Sequence, residues 1–197
     1  MLARALRAEQ AAEQELARIP DWMWDGWSVP VPIETIADSH YGMLVSEHPD
    51  LAAMAALGDD HISGLLFPGR REIWVDAKEA ARAPARRRFT IGHELGHWVL
   101  HSLLDDPDGQ VVHCRSEVVR DEAAVEGPPA HHHLPDLLAY PPRELDANQF
   151  AAALLMPRWL VEAERERAGD EVQALTKRFG VSPIAMERRL WFLDRAM

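Results

Sequence analysis

Three residues near the middle of the chain have a spacing that suits metal chemistry. His93, Glu94 and His97, inside RRRFTIGHELGHWVLH (residues 86–101), form His-Glu-x-x-His. Residues four apart on a helix lie on one face, one turn apart. Two imidazoles so placed can share one Zn²⁺ at about 2.0–2.1 Å each. Glu94 sits about 100° round the helix from His93, off the ligand edge, where a carboxylate can act as general base towards a metal-activated water. Chance places the string about 0.04 times in a chain of this composition, so it is a hypothesis that other residues must support. The competing reading is a buried helix whose histidines bond to their neighbours.

Two residues of one helix cannot hold a catalytic zinc, which takes a third protein ligand and keeps a fourth position open. The candidates downstream are His101, His113, Cys114, His131, His132, His133, Glu144 and Asp146. His101 is four residues past His97, but one ion does not readily bridge three successive turns, so His101 suits the helix end and its carbonyls. The run His131–His133 lies between prolines in a polar stretch and reads as solvated, and Cys114 falls in a strand expected at QVVHC. Glu144 opens RELDANQFAAALLMP, a helix stopped by Pro157. There Glu144, Asn148, Ala151 and Leu155 share a face that is small and apolar below the carboxylate. Gly92 and Gly96 flank the histidines, and glycines within a helix cost about 0.5–1 kcal/mol each against Ala, tolerable where backbones pack closely. Small faces on both helices would bring Glu144 to the histidines. Asp146, roughly 200° from Glu144, should point elsewhere. Spacing leaves the other reading of Glu144 open, an exposed carboxylate in a first helical turn.

The elements that must position these groups are legible in outline. Residues 2–18 read as a helix, WMWDGWSVPVP as an irregular apolar clamp, and IETIADSHYG as a short helix ending at Gly42. ISGLLF and REIWVDA flank PGR as a β-hairpin, Pro84 suits a helix start, and Ile91, Leu95, Trp98 and Ser102 make one face of the motif helix. From Ser102 to Pro142 the chain is acidic, proline-bearing and weakly periodic, a long functional loop with the one strand. A short helix around 158–167 and a closing helix-turn-helix follow. The fold class is α+β: a small antiparallel or mixed sheet packed on the motif helix, with a helical C-terminal part. The expected organisation is an N-terminal helix and linker (1–27), a metallopeptidase domain (28–157) and a helical extension (158–197) packed on it.

The formal charge of −11 argues against a nucleic-acid binder, and Arg82–Arg88 reads as a solvated approach to a helix. The single Cys114 excludes an internal disulfide framework and suits a reducing compartment. The first twenty residues lack an apolar signal-peptide core, and no run approaches the 18 apolar residues of a membrane span, so a cytoplasmic protein is expected.

RRRFTIGHELGHWVLH followed by ELDANQFAAALLMP resembles the ImmA/IrrE family of bacterial and phage metallopeptidases. VPVPIETIADSHYG is similar to the family's N-terminal helix, SGLLFPGRREIWVDA to the hairpin before its zinc helix, and VQALTKRFGVSPIAMERRLWFL to its tail, so the likeness spans about residues 28–193. The resemblance implies Zn²⁺ held by His93, His97 and Glu144, with Glu94 as general base. Asn148 matches the family's asparagine and would orient a ligand or pack the two helices. It also implies a protein substrate, a helix-turn-helix repressor. In that mechanism zinc lowers the pKa of water from about 15.7 towards about 7, and Glu94 takes the proton and passes it to the leaving amine. The strand Glu72–Ala77 is expected to offer an edge to extended substrate. Tyr140, His113 or one of His131–His133 would stabilise the oxyanion, and the sequence does not choose among them. The alternatives are a non-catalytic, metal-stabilised regulator that binds a repressor or DNA through FGVSPIAMERRL, and a toxin–antitoxin-like partner. The spacing of Leu175, Phe179, Val181, Ile184, Met186 and Leu190 also suits a small helical core.

Overall fold

The computed structural model describes residues 2–51, 62–101, 112–115, 141–169 and 171–196. In chain order its elements are α1 (Leu2–Leu16), α2 (Ile33–Thr35, continued by a π-helical turn over Ile36–His40), β1 (Leu44–His48), β2 (Ile62–Phe67) and β3 (Glu72–Asp76). Then come α3 (Ala77–Arg82), α4 (Pro84–Leu100), β4 (Val112–Arg115), α5 (Pro142–Leu155), α6 (Arg158–Ala168), α7 (Val172–Phe179) and α8 (Pro183–Leu193). The class is α+β, as the patterning indicated.

The four strands form one mixed sheet in the order β1-β3-β2-β4. β2 and β3 are the expected hairpin, joined by a 3₁₀ turn over Pro68–Arg70, with Leu66 opposite Ile73 and Gly64 opposite Val75. β1 runs parallel to β3, and β4 antiparallel to β2. This order overturns the expectation of a substrate edge on Glu72–Ala77. β3 is hydrogen-bonded on both sides, by β1 and by β2, so its backbone groups are already used. Among the described residues the sheet edges are β1 and β4.

Period-two alternation divides the sheet's side chains between two cores. Leu66, Ile73 and Val75 join Ile91 and Leu95 of α4, Phe150 and Leu154 of α5, and Phe179 and Met186 of the closing helices in the main core. Leu65, Phe67 and Trp74 pack with Leu51 on the opposite face. Ile62 joins that second cluster although it is two residues from Gly64. The pairing of β2 with β4 shifts register between Ile62 and Gly64, which changes the face.

Helix boundaries follow local chemistry. Pro84 and Pro142, which have no N–H to lose, stand in the first turns of α4 and α5. Asp76 caps α3 by accepting the Glu79 N–H at 2.8 Å, and Ser182 caps α8 through the Ala185 N–H at 3.2 Å. α1 packs along α5 with Ala8, Ala12 and Leu16 buried. Its Glu9 accepts two hydrogen bonds from Arg189 of α8, at 2.5 and 2.7 Å, and one from Gln149 of α5 at 2.9 Å. The arginine run is consumed structurally: Arg86 pairs with Glu79, Arg87 with Glu34 and Glu47, and Arg88 donates to the carbonyls of Val31 and Gly180. Leu175, Phe179, Val181 and Met186 are buried, and Ile184 and Leu190 are partly so. Among the described residues no helix is long and apolar enough to cross a membrane.

Candidate metal centre

α4 lies between the sheet and α5, and its buried stretch runs without a break from Thr90 to His97. Gly96 is where the two helices come closest: a Cβ built there would lie 3.0 Å from both Cα and O of Ala147. At Gly92 the nearest atom would be Ala151 Cβ, at 3.4 Å. The glycines let the α5 backbone approach, and Glu144, one turn before Ala147, reaches across the crossing.

The result is a convergence of three ligand groups. Glu144 Oε2 is 3.2 Å from His93 Nε2, Glu144 Oε1 is 3.2 Å from His97 Nε2, and the two Nε2 atoms are 3.0 Å apart. A tetrahedral ion bound at about 2.0–2.1 Å sets its ligand atoms about 3.3–3.4 Å apart, so the three groups stand close to the spacing that zinc demands. Among the described residues this is the cluster of His, Cys, Asp and Glu side chains that can hold a metal ion. The donor set agrees. His93 Nδ1 lies 2.9 Å from Asn148 Oδ1, an acceptor that suits a proton on Nδ1 and turns Nε2 towards the carboxylate. Two imidazole nitrogens and a carboxylate turned to one point suit a metal cation.

Electrostatics favour the ligating forms. Burial pushes the Glu144 carboxyl up, but hydrogen bonds from His93 and His97, with their charge, outweigh it and hold the group well below the usual carboxylate range. Burial pushes the His97 imidazole below its ordinary value, and the hydrogen bond to Glu144 does not offset this. Carboxylate and neutral imidazole are the forms a metal takes.

Glu94 is fully buried on the sheet side of α4. A Cβ on Gly64 of β2 would fall 2.5 Å from Thr90 Cγ2 and 2.8 Å from Glu94 Oε1. The bare backbone of β2 thus makes the space in which Glu94 lies. Gly64 was not singled out from the sequence, although a glycine inside a strand pattern signals close approach of this kind. Asp146 does point away from Glu144, as its helical angle requires. It accepts both guanidinium N–H groups of Arg4 at 2.5 and 2.7 Å, and His101 Nε2 lies 3.6 Å from its Oδ2. His101 is the C-terminal cap of α4, the expected place, with its side chain turned to His97. Of the other candidates, His113 and Cys114 are placed by their backbone in β4, while His131–His133 and Tyr140 lie outside the described residues.

With this geometry in place, comparison with known families is decisive. A model described as the IrrE N-terminal-like domain, peptidase family M78, matches residues 39–124 and 127–191. The chain belongs to this family. M78 membership marks it as a metallopeptidase in general type, and His93, His97, Glu144 and Glu94 all fall within the matched residues. A search of curated proteins finds no match. α1 and the tryptophan-rich turn after it precede the matched region.

Proposed function

We propose that the chain is a zinc-dependent endopeptidase that cuts a cytoplasmic regulatory protein, a helix-turn-helix repressor. The observation that carries the reading is the convergence of His93, His97 and Glu144, within 4.8 Å of one another, on the helix that also bears Glu94. His93, His97 and Glu144 would hold the zinc, which supplies Lewis-acid polarisation of the scissile carbonyl and acidifies a water. Glu94 takes a proton from the attacking water on a carboxylate oxygen and delivers it to the departing amide nitrogen. Its burial beside the bare backbone at Gly64 keeps that carboxylate in one place, which proton transfer over hydrogen-bond distance requires. Asn148 orients His93 by accepting from Nδ1. β4 pairs with β2 on one side, and its other side, which carries no strand among the described residues, suits an extended substrate chain adding as a further strand.

A repressor substrate is supported by the family resemblance and by charge. A chain of net charge −11 attracts a basic DNA-binding protein and repels the DNA itself. Arg189, on the helix that would read DNA in a helix-turn-helix, is buried in its pair with Glu9. That burial disfavours the DNA-binding alternative.

Glu94→Gln is the discriminating variant. Wild type and variant are incubated with the repressor encoded nearest the gene, with and without chelator, and metal content is measured in parallel. The variant should keep its metal and lose cleavage by about 10²–10⁴-fold. Unimpaired cleavage by a metal-loaded variant sinks the mechanism. Absence of metal-dependent cleavage in both proteins, with normal repressor binding, supports the non-catalytic regulator.

A further inference from the structure

The two histidine ligands are held from behind by different devices. His93 Nδ1 meets the amide oxygen of Asn148, from the same helix as Glu144. His97 Nδ1 lies instead 3.2 Å from Nδ1 of His101, the residue where α4 ends. His101 Nε2 faces Asp146 Oδ2 at 3.6 Å, and Asp146 is gripped from its far side by Arg4 of α1, at 2.5 and 2.7 Å. His101 and Asp146 are both largely shielded, with side chains 13% and 15% exposed.

We propose that His101, backed by Asp146 and Arg4, is the positioning residue for His97. The inference rests on the metal-binding reading of the site given above. With His97 Nε2 given to the metal, its remaining proton is on Nδ1, so His101 must present a bare Nδ1 to accept it. The proton of His101 is then on Nε2, where it faces the Asp146 carboxylate. Asp146 favours that tautomer by its charge, and Arg4 fixes the carboxylate in place by a two-pronged ion pair. The order Arg4, Asp146, His101, His97 therefore runs from α1 to the metal centre through groups whose donors and acceptors alternate. It makes α1, which precedes the region matched by the family model, a contributor to the orientation of one ligand.

A structural role alone makes a different set of expectations, so the test compares variants of one residue. Zinc affinity is measured by competition with a chromophoric chelator for the wild type, His101→Phe, His101→Asn and Asp146→Asn, together with thermal unfolding of each zinc-free protein. Phe keeps a ring and offers no acceptor, and should weaken zinc binding about 10–100-fold. Asn sets its Oδ1 where the His101 Nδ1 stands and should recover most of that loss. Asp146→Asn should weaken binding by up to about tenfold. The visible spectrum of the Co²⁺-loaded protein should change in His101→Phe and return in His101→Asn. A wild type that binds no zinc refutes the metal reading itself. A wild type that binds zinc, with a Phe variant of equal affinity, refutes the positioning role and leaves the metal reading standing. Equal losses in the Phe and Asn variants refute the acceptor argument. If His101→Phe does not fold, unchanged affinity in Asp146→Asn refutes the backing by Asp146.

Discussion

The α4–α5 crossing makes a quantitative demand at Gly96 that it does not make at Gly92. A methyl group at Gly96 would meet the Ala147 backbone, Cα and O, at 3.0 Å, and its Cβ at 3.3 Å. Carbon atoms in contact prefer about 3.5–4.0 Å, so the helices must separate by about 0.5–1 Å. Backbone cannot swing aside as a side chain can. Ala for Gly in a helix gains about 1 kcal/mol, while overpacking costs about 1–3 kcal/mol, so Gly96→Ala should lose up to about 2 kcal/mol of stability. The larger effect should fall on the metal. Metal–ligand distances tolerate about 0.2 Å, and Glu144 is carried on the helix that is pushed away, one turn from the contact. Zinc affinity should drop at least about 10–100-fold, the scale seen for loss of a ligand's orientation. At Gly92 the added methyl would find Ala151 Cβ at 3.4 Å and Leu155 Cδ1 at 3.7 Å, close to ordinary contact. Gly92→Ala should keep zinc affinity and hold or slightly raise stability. Chelator competition and thermal unfolding of the zinc-free proteins read both quantities. If Gly96→Ala binds zinc as tightly as the wild type, or if the two variants behave alike, close approach at Gly96 is not what brings Glu144 to the histidines.

Gly64→Ala should impair cleavage and spare metal binding, because its methyl would strike Thr90 and Glu94 and none of the three ligands; equal loss of zinc would contradict that separation. Glu9→Ala should cost about 3–5 kcal/mol in urea unfolding, since it leaves the fully buried Arg189 guanidinium with the Met156 carbonyl as its hydrogen-bond acceptor among the described residues. A loss under about 1 kcal/mol would show that the cluster relaxes or admits water. Removing zinc with a chelator should lower the unfolding free energy by about 4 kcal/mol when the free metal had been a thousandfold above its Kd, and Tm should rise with added zinc. A Tm indifferent to zinc would argue against a native metal site.

What could be read from the sequence was what recurs at fixed spacing. His93 and His97 are four residues apart, and a helix turns that spacing into a shared edge. The hairpin announced itself by a turn sequence between two apolar runs, α4 by a proline at its start, and α5 by the proline that stops it. Long-range choices left weaker traces. Glu144 lies 47 residues beyond His97, and its partner could be inferred only from small residues on both faces, which say that helices can approach without naming which. Strand order was invisible for the same reason. REIWVDA alternates as an edge or an interior strand would, and only the parallel pairing with β1 decides the matter. Gly64 and the Arg4–Asp146 pair were missed because each acts on the site from another element, through a backbone that stays bare or a charge 142 residues away in sequence.

That distance explains why α1 matters to a site to which it gives no ligand. The Glu144 carboxylate stands about 6 Å from the axis of α5, so a rotation of 10° about that axis would carry it about 1 Å, several times the tolerance of a metal bond. Packing of small side chains such as Ala147 and Ala151 sets the separation of α4 and α5 firmly but resists rotation weakly, because methyl groups present little for a neighbour to grip. Resistance comes from the other side of α5. Arg4 holds Asp146, two residues past Glu144, and Glu9 accepts from Gln149, one turn further on, while also holding Arg189 of α8. Two polar anchors about one turn apart fix both the height and the rotation of α5 against α1. Gly96 of α4 and the anchors of α1 therefore do complementary work: the glycine admits Glu144 to the histidines, and the anchors keep it aimed there.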